Sequence, residues 1–199
     1  MTDVPTLTSA TAANYPVINP LAATSGNVTI VDGNLKVTIG VAGQWRTIGA
    51  TMAIPASTGK WYWEATVISG AIGSTGNGML GIIRTTQSFS GNYYLGSDAN
   101  GYSYQSNANK LNNAVSTTYG ASWTAGDVIG IAFDATAGTL TFYKNNTSQG
   151  TAFTATTGVE YFPAFGGATD IPVYAVNFGQ QPFVYTPPSG YVALNTYNL

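Results

Sequence analysis

Carboxylates carry the acid–base chemistry open to this sequence, because its 199 residues include neither histidine nor cysteine. A Ser-His-Asp triad, a Cys-His pair and the common zinc sites all require one of those two residue types. What remains is a pair of carboxylates of the kind that glycosidases use. The sequence has eight acidic residues from which such a pair could be drawn.

The spacing of the acidic residues argues against such a pair. Asp127 and Asp134 bracket one predicted strand, which separates them by roughly 20 Å at about 3.3 Å per residue. Glu64 lies in mid-strand, where a carboxylate is more often a structural hydrogen-bond acceptor than a catalytic acid. We therefore predict that the protein is not an enzyme and has no catalytic residue. A glycosidase that depends on Glu64 is the enzymatic alternative that stays open.

Metal and cofactor sites are not expected either. Calcium sites are commonly built on closely spaced aspartates, and the sequence has no loop of the Asp-x-Asp-x-Asp kind. The glycine-rich segment from Gly73 to Gly78 lacks the lysine of a phosphate-binding loop, and no helix is predicted after it. We predict no metal and no cofactor.

Aromatic side chains in and beside the long loops are the candidate binding residues. Rigid aromatic area with a polar tip suits a protein interface or the stacking of a sugar. Tyr93 and Tyr94 are the strongest candidates, and packing beneath their own loop is the alternative, since long loops bury their own apolar residues. The predicted binding residues are Asn92, Tyr93, Tyr94, Tyr102, Tyr104 and Tyr119.

Short strands must position these side chains. The β-branched and aromatic runs Val128 to Phe133 and Thr139 to Tyr143 are joined by small residues, which predicts a hairpin. Lys60 to Ile68 has bulky residues on both faces, which predicts a strand covered on both sides. Asn107 to Tyr119 is polar and is predicted to be irregular. Ten or more short strands without a helical period between them predict an all-β antiparallel sandwich.

The two ends of the chain differ from its middle. Residues 1–24 are rich in Thr, Ala and Pro and show no period, which predicts an irregular N-terminal arm, either frayed or anchored on another surface. Residues 25–199 are predicted to form a single domain. The segment from Gln180 to Gly190 reads as a proline-stiffened tail.

The low charge of the chain limits its partners. Charged residues make up 7% of the sequence and the net charge is −2, so no basic stripe is available for a nucleic acid backbone. The first sixteen residues lack the basic start and apolar core of a secretory signal, and no apolar run is long enough to span a membrane. We expect no nucleic acid partner and no membrane insertion. Large neutral surfaces tend to mark contacts, which predicts a homo-oligomer or a many-copy assembly.

These strands together resemble those of the SPRY domain, the core of the B30.2 family. Gly59-Lys-Trp-Tyr-Trp-Glu-Ala-Thr-Val67 is similar to its Gly-Lys-x-Tyr-aromatic-Glu-Val strand. Gly126 to Asp134 and Gly138 to Asn145 are similar to its most recognisable hairpin, and Tyr161 to Phe165 and Val176 to Gly179 to its last strands. The resemblance covers about residues 59–179 and implies a β-sandwich of the concanavalin-like jelly-roll type.

The flanking sequences add a narrower resemblance. Asn19-Pro-Leu21 and the stretch from Gln181 to Asn195 are similar to sequences in the SPRY-like proteins of bacteriophages. That resemblance implies a non-enzymatic structural or accessory module of a phage virion, either a head decoration or a tail- or fibre-associated protein, with other virion proteins as partners. The alternative is a glycan-binding adhesin that recognises a host surface receptor through the loop tyrosines.

Overall fold

The computed structural model describes residue 9 and residues 12–23, 27–41, 43–89 and 91–199. Strands alternate with turns along the whole described chain, and no α-helix occurs in it. The fifteen strands are β1 (Ile18–Ala23), β2 (Val28–Val31), β3 (Lys36–Ile39), β4 (Arg46–Ala50), β5 (Lys60–Ser69), β6 (Met79–Arg84), β7 (Gly101–Gln105), β8 (Asn109–Asn112), β9 (Val115–Thr118), β10 (Val128–Asp134), β11 (Thr139–Lys144), β12 (Thr147–Thr154), β13 (Tyr161–Gly167), β14 (Val173–Asn177) and β15 (Val192–Ala193).

The strands form two sheets. The seven-stranded sheet has the order β1-β4-β13-β6-β7-β8-β9, and the eight-stranded sheet has the order β12-β11-β10-β5-β14-β3-β2 with β15 beside β5. Every pairing is antiparallel except that of β15 with β5. The prediction of an all-β antiparallel sandwich is therefore confirmed.

The core lies between the two sheets and follows the alternation of each strand. Trp61 and Trp63 of β5 and Phe142 of β11 point into it and are at most 1% exposed. Leu140 and Phe142 share one face of β11, while Thr139, Thr141 and Tyr143 alternate with them and are half-buried. The hairpin predicted for β10 and β11 is present in the expected register, with Asp134 opposite Thr139.

Two segments that were predicted to be irregular contain strands. Ile18–Ala23, inside the predicted arm of residues 1–24, forms β1 and pairs with β4. Residues 1–8, 10, 11 and 24 of that arm lie outside the described part of the chain. Asn107 to Tyr119 contains the β8–β9 hairpin, whose turn residues Asn113 and Ala114 both have positive φ. Asparagine tolerates that conformation, whereas alanine gives no turn signal in a sequence.

The long loop between β6 and β7, described over residues 85–89 and 91–100, covers part of the outer face of the seven-stranded sheet. Small residues on that face form a shallow floor, on which Leu95 packs with Met79 and Ile83. The Ser103 hydroxyl of β7 donates to the carbonyl oxygen of Leu95 at 2.8 Å. The loop is thus held against the sheet by apolar contacts and by a buried hydrogen bond.

The C-terminal segment after β14 covers part of the outer face of the eight-stranded sheet. Glu64, in the middle of β5, is 1% exposed and accepts hydrogen bonds from the backbone N–H groups of Val184 at 2.8 Å and Tyr185 at 2.9 Å. The ring of Phe183 meets that of Tyr62 edge to face at 5.0 Å. We call residues 181–199 the C-terminal strap.

Among the described residues, no helix is long and apolar enough to cross a membrane.

Candidate functional site

The predicted binding residues separate into two groups in the structure. Tyr102 and Tyr104 point from β7 into the core between the sheets, where they are 7% and 0% exposed. The Tyr104 hydroxyl donates to the carbonyl oxygen of Ala121, and its ring packs against Tyr119 at 5.2 Å. The alternation of β7 turns both rings inward, so their exposed area is small, and a binding role for them stays a prediction.

Tyr119 follows β9 and is half-buried at the edge of the core. Its hydroxyl donates to the carbonyl oxygen of Gly150 and accepts from the N–H of Phe142 at 3.3 Å. Burial raises the pKa of Tyr119 to about 12. The phenol therefore stays neutral and acts as a structural link between β9 and the β11–β12 hairpin.

Asn92, Tyr93 and Tyr94 lie together on the loop that covers the outer face of the seven-stranded sheet. Asn92 is exposed, and the two tyrosines are half-buried. The Tyr93 hydroxyl donates to Asp98 Oδ1 at 3.0 Å. Burial, and then this bond to the carboxylate, raises the pKa of Tyr93 above its usual value. Both tyrosines are therefore partly packed beneath their own loop and partly exposed. A binding role for these three residues stays a prediction.

Trp45 completes this cluster, and the sequence analysis did not select it. Its ring lies 5.3 Å from that of Tyr94, and its backbone N–H donates to Asn92 Oδ1 at 2.5 Å. Phe89 packs on the same face, where a Cβ at Gly49 would lie 3.4 Å from its ring. We define the aromatic surface as Trp45, Phe89, Asn92, Tyr93 and Tyr94.

The aromatic surface is fixed to the sheet by polar contacts. Thr47 of β4 donates its hydroxyl to the Tyr93 carbonyl oxygen at 3.2 Å. The buried Arg46 guanidinium donates to the carbonyl oxygens of Trp45 at 2.7 Å and Gly91 at 3.5 Å. Because a cation, a hydroxyl and an amide all hold backbone groups of these loops, the exposed edges of the rings are presented in a fixed arrangement.

A cavity of about 300 Å³ lies on the outer face of the eight-stranded sheet. It lies between β3, β14 and the C-terminal strap, and Lys36, Thr66 and Asn177 line it. The Asn177 amide donates to the carbonyl oxygen of Pro182 at 3.0 Å. Its amide donor is thus already used within the chain, and no aromatic side chain lines the cavity, so we do not select it as the site.

The carboxylates show no arrangement for catalysis. Glu64 is buried beneath the C-terminal strap, and Asp127 and Asp134 form ion pairs with Lys144 at 3.3 Å and Lys60 at 3.1 Å. Within the described residues, no group of three or more acidic side chains could hold a metal ion. These three carboxylates are thus engaged by groups of the same chain.

A two-sheet sandwich that presents loop aromatics from one outer face defines a class of binding module. The family model of the SPRY domain matches residues 60–181, which is more than half of the chain, so the chain belongs to the SPRY domain family. The structure is similar to that of the SPRY domain of human HERC1, with a TM-score of 0.66 and 19% identity over 83% of this chain and 99% of that one. That likeness supports the fold alone.

Relatives of known name are longer proteins. The chain is 32% identical over 141 residues to Ran-binding protein 10 of Danio rerio, a match that covers 70% of this chain and 22% of the relative. It is 31% identical over 165 residues to the Ran-binding proteins 9/10 homolog of Drosophila melanogaster, covering 80% of this chain and 17% of the relative. The chain therefore spans about a fifth of the length of these relatives.

These relatives overturn the virion prediction. The similar proteins are Ran-binding proteins of animals, among them Ran-binding protein 9 of Homo sapiens, and none of these relatives is a phage protein. The predicted head-decoration or tail-fibre role, the location in a virion, the virion partners and the host-glycan adhesin alternative are wrong. At the level of the family, SPRY domains are non-enzymatic modules that mediate protein–protein interaction.

Proposed function

We propose that this SPRY domain is a non-enzymatic module that binds another protein through the aromatic surface. The observation that carries the proposal is the cluster of Trp45 and Tyr94, half-buried and held in place by Asn92 and by the buried Arg46. Aromatic side chains that keep part of their area exposed on a rigid support are the common anchors of protein interfaces.

The chemistry of this surface favours a neutral, apolar segment of a partner. The cation beneath it, Arg46, is buried and bonded to carbonyl oxygens and to the Gln44 amide oxygen. The carboxylate nearest to it in the loop, Asp98, accepts from Tyr93 and from the backbone N–H of Asn100 at 2.9 Å. Because both charges are already used within the chain, contact area and hydrogen bonds at the ring edges must supply the affinity.

The proposal is tested by selecting binders from a random peptide library displayed against the full chain. We expect selected peptides to bind the wild type and to lose at least tenfold in affinity to Tyr94→Ala, since central aromatic residues dominate interfaces. Tyr197→Ala is the matched control, because Tyr197 is 50% exposed and lies in the C-terminal strap. Ran is included as a single candidate protein, since the relatives carry it in their names.

Two results would contradict the proposal. The first is a set of selected peptides that bind Tyr94→Ala as tightly as the wild type while Tyr197→Ala weakens them, which would place the binding surface on the strap. The second is turnover of a polysaccharide that disappears in Glu64→Gln, which would make the protein an enzyme.

We also propose that copies of this chain associate with one another. Charged residues make up 7% of the sequence and the net charge is −2, so electrostatic repulsion between copies is small.

A further inference from the structure

Each sheet of the sandwich has two edge strands, which are β1 and β9 in one sheet and β12 and β2 in the other. Edge strands of natural proteins carry charges, prolines or bulges that prevent pairing with another chain. β1 contains Pro20 and shifts its register, and β12 shifts its register twice. β2 runs into Asp32, which pairs with Lys36 at 3.8 Å. Three edges therefore carry a feature that discourages pairing.

The fourth edge, β9, carries none of these features. Its four residues, Val115–Thr118, pair with β8 without any shift of register. All four are exposed, and Val115 is 60% exposed. None of residues 111–126 is charged or is a proline. β9 is a regular, neutral and open edge of the sheet.

The hairpin geometry shows which backbone groups of β9 are free. Asn112 and Val115 flank a two-residue turn and so form a hydrogen-bonded pair. The N–H of Tyr119 donates to the carbonyl oxygen of Ala108 at 2.8 Å, which continues the same alternation. Val115 and Thr117 consequently direct their backbone groups toward β8, whereas Ser116 and Thr118 direct theirs away from the sheet.

The open edge is also held rigid. At the hairpin tip, the N–H groups of Asn113 and Ala114 donate to the carbonyl oxygens of Asp98 and Gly96, both at 2.9 Å. The Ser116 hydroxyl donates to Gln105 Oε1 on β7 at 3.0 Å. A strand whose hairpin tip and side chain are already held in place loses little conformational freedom when a further strand is added.

We propose that β9 is the pairing surface for a second copy of this chain, in an antiparallel arrangement around a two-fold axis at Thr117. In that register Ser116 of one copy lies opposite Thr118 of the other, and each pair exchanges two backbone hydrogen bonds. The four outward N–H and C=O groups of both strands are then satisfied, and Thr117 faces its own symmetry mate.

A second copy of this chain fits the β9 edge because it presents the same strand. An antiparallel pair of identical four-residue strands is self-complementary, as an isologous dimer contact must be. The absence of charge over residues 111–126 means that no like charges meet at the axis. A four-residue edge is smaller than a standard interface, so we expect a reversible dimer with a dissociation constant on the order of 0.1 mM.

Sedimentation equilibrium of the full chain tests the proposed edge. Thr118→Pro removes an outward N–H that the fold itself does not use, and we expect it to weaken dimerisation at least tenfold. Thr118→Ala shortens the same side chain but keeps the N–H, and we expect it to dimerise within twofold of the wild type. A chain that stays monomeric at millimolar concentration overturns the proposal, as does a dimer that both variants weaken equally.

A cysteine placed on the axis tests the register. The chain has no cysteine of its own. Facing residues of a non-hydrogen-bonded antiparallel pair have Cα atoms about 4.5 Å apart, within the range of a disulfide. We expect Thr117→Cys to form a cross-linked dimer on mild oxidation. The matched variant Val115→Cys, four positions out of register with its mate, should not be cross-linked, and equal cross-linking of both variants would refute the register.

Discussion

Glu64 shows how a single buried carboxylate can be structural. Its two oxygens accept from the N–H groups of Val184 and Tyr185 and from the Tyr62 hydroxyl at 3.0 Å. All three donors come from the chain and the side chain is 1% exposed, so a substrate cannot come within hydrogen-bond reach of the carboxylate. Glu64 anchors the C-terminal strap to the centre of β5.

We expect Glu64→Gln to lower the free energy of unfolding by about 1–3 kcal/mol, because an amide N–H₂ would face a backbone donor. Urea unfolding measures the change. Glu160→Gln is the matched control, since Glu160 is exposed and the same charge is lost, and it should alter stability by less than about 0.5 kcal/mol. Equal effects of the two substitutions would mean that the strap does not depend on Glu64.

Asp134 gives a pH-dependent contribution to stability. Partial desolvation opposes ionisation of this carboxyl, but the N–H groups of Ala137 and Thr136 and the ammonium of Lys60 outweigh it and lower its pKa. Because the pKa is lower in the folded chain than in the unfolded chain, the ionised form stabilises the fold. That contribution is complete above the unfolded pKa of about 3.9 and is lost as the pH falls through the folded pKa.

Asp134→Asn keeps Oδ1 as the acceptor for Thr136 and Ala137 but removes the ion pair with Lys60. We expect a loss of about 0.5–1 kcal/mol at pH 7, kept small because the Lys60 side chain is 49% exposed. The difference from the wild type should shrink below about pH 4, as measured by thermal unfolding over a pH series. Lys60→Met breaks the same ion pair and should give a similar loss of stability at pH 7. A stability difference between Asp134→Asn and the wild type that grows in acid would contradict a stabilising role of ionised Asp134.

At the scale of the elements, the position of the long loop depends on small residues in the strands beneath it. A Cβ at Gly81 of β6 would overlap the carbonyl oxygen of Tyr102 and lie 2.9 Å from its carbonyl carbon. At Gly101 of β7 it would lie 3.1 Å from Leu95 and 3.2 Å from the Tyr93 hydroxyl. The long loop therefore lies close to the sheet only because glycine occupies these two positions.

We expect Gly81→Ala to destabilise the fold by about 2–3 kcal/mol, because the methyl group meets backbone that cannot move without breaking the β6–β7 pairing. Gly49→Ala on the same outer face is the control. Its Cβ would lie 3.4 Å from Phe89 and 3.5 Å from Phe162, which is ordinary contact, and its stability should change by less than about 0.5 kcal/mol. Chemical unfolding of both variants measures the two changes in stability. An unchanged stability of Gly81→Ala would contradict the close contact between Gly81 and the backbone of β7.

The elements also show what local sequence can and cannot predict. The β10–β11 hairpin was predictable because the alternation of its strands and the small residues between Asp134 and Gly138 are both local signals. β1 was missed because its pairing with β4 spans distant residues, and the β8–β9 turn was missed because Ala114 at positive φ leaves no local trace. Trp45 was missed in the candidate site for the same reason, since Asn92, its hydrogen-bond partner, lies 47 positions away.

The direction of each side chain was the other source of error. Phe162 lies on the outer face of β13 beneath the long loop, whereas its strand neighbours Tyr161 and Phe165 lie in the core. Tyr104 was predicted to bind a ligand by its place near loops, but it lies in the core. A strand period separates the two faces, and only the assembled sheets decide which face a loop covers.

At the scale of the whole molecule, the charged side chains are few, and most of the cations form ion pairs or hydrogen bonds within the chain. Lys36, Lys60 and Lys144, half of the six cations, are paired with aspartates of the same chain. Arg46 is buried against carbonyl oxygens, and Lys110 donates to the carbonyl oxygen of Ala152. Contacts of this domain with other molecules must therefore depend on shape, apolar area and backbone hydrogen bonds.

We expect the self-association constant to change by less than about twofold between about 0.05 and 0.5 M NaCl, because salt screens charges and the β9 edge has none. Sedimentation equilibrium across the salt series measures it. Thr118→Lys supplies the contrast, since it places two lysines at diagonal positions across the two-fold axis, with their backbones about 7–8 Å apart. That variant should dimerise weakly at low salt and recover as salt screens the repulsion. A wild-type constant that varies more than tenfold over the series would mean that charged residues elsewhere hold the copies together.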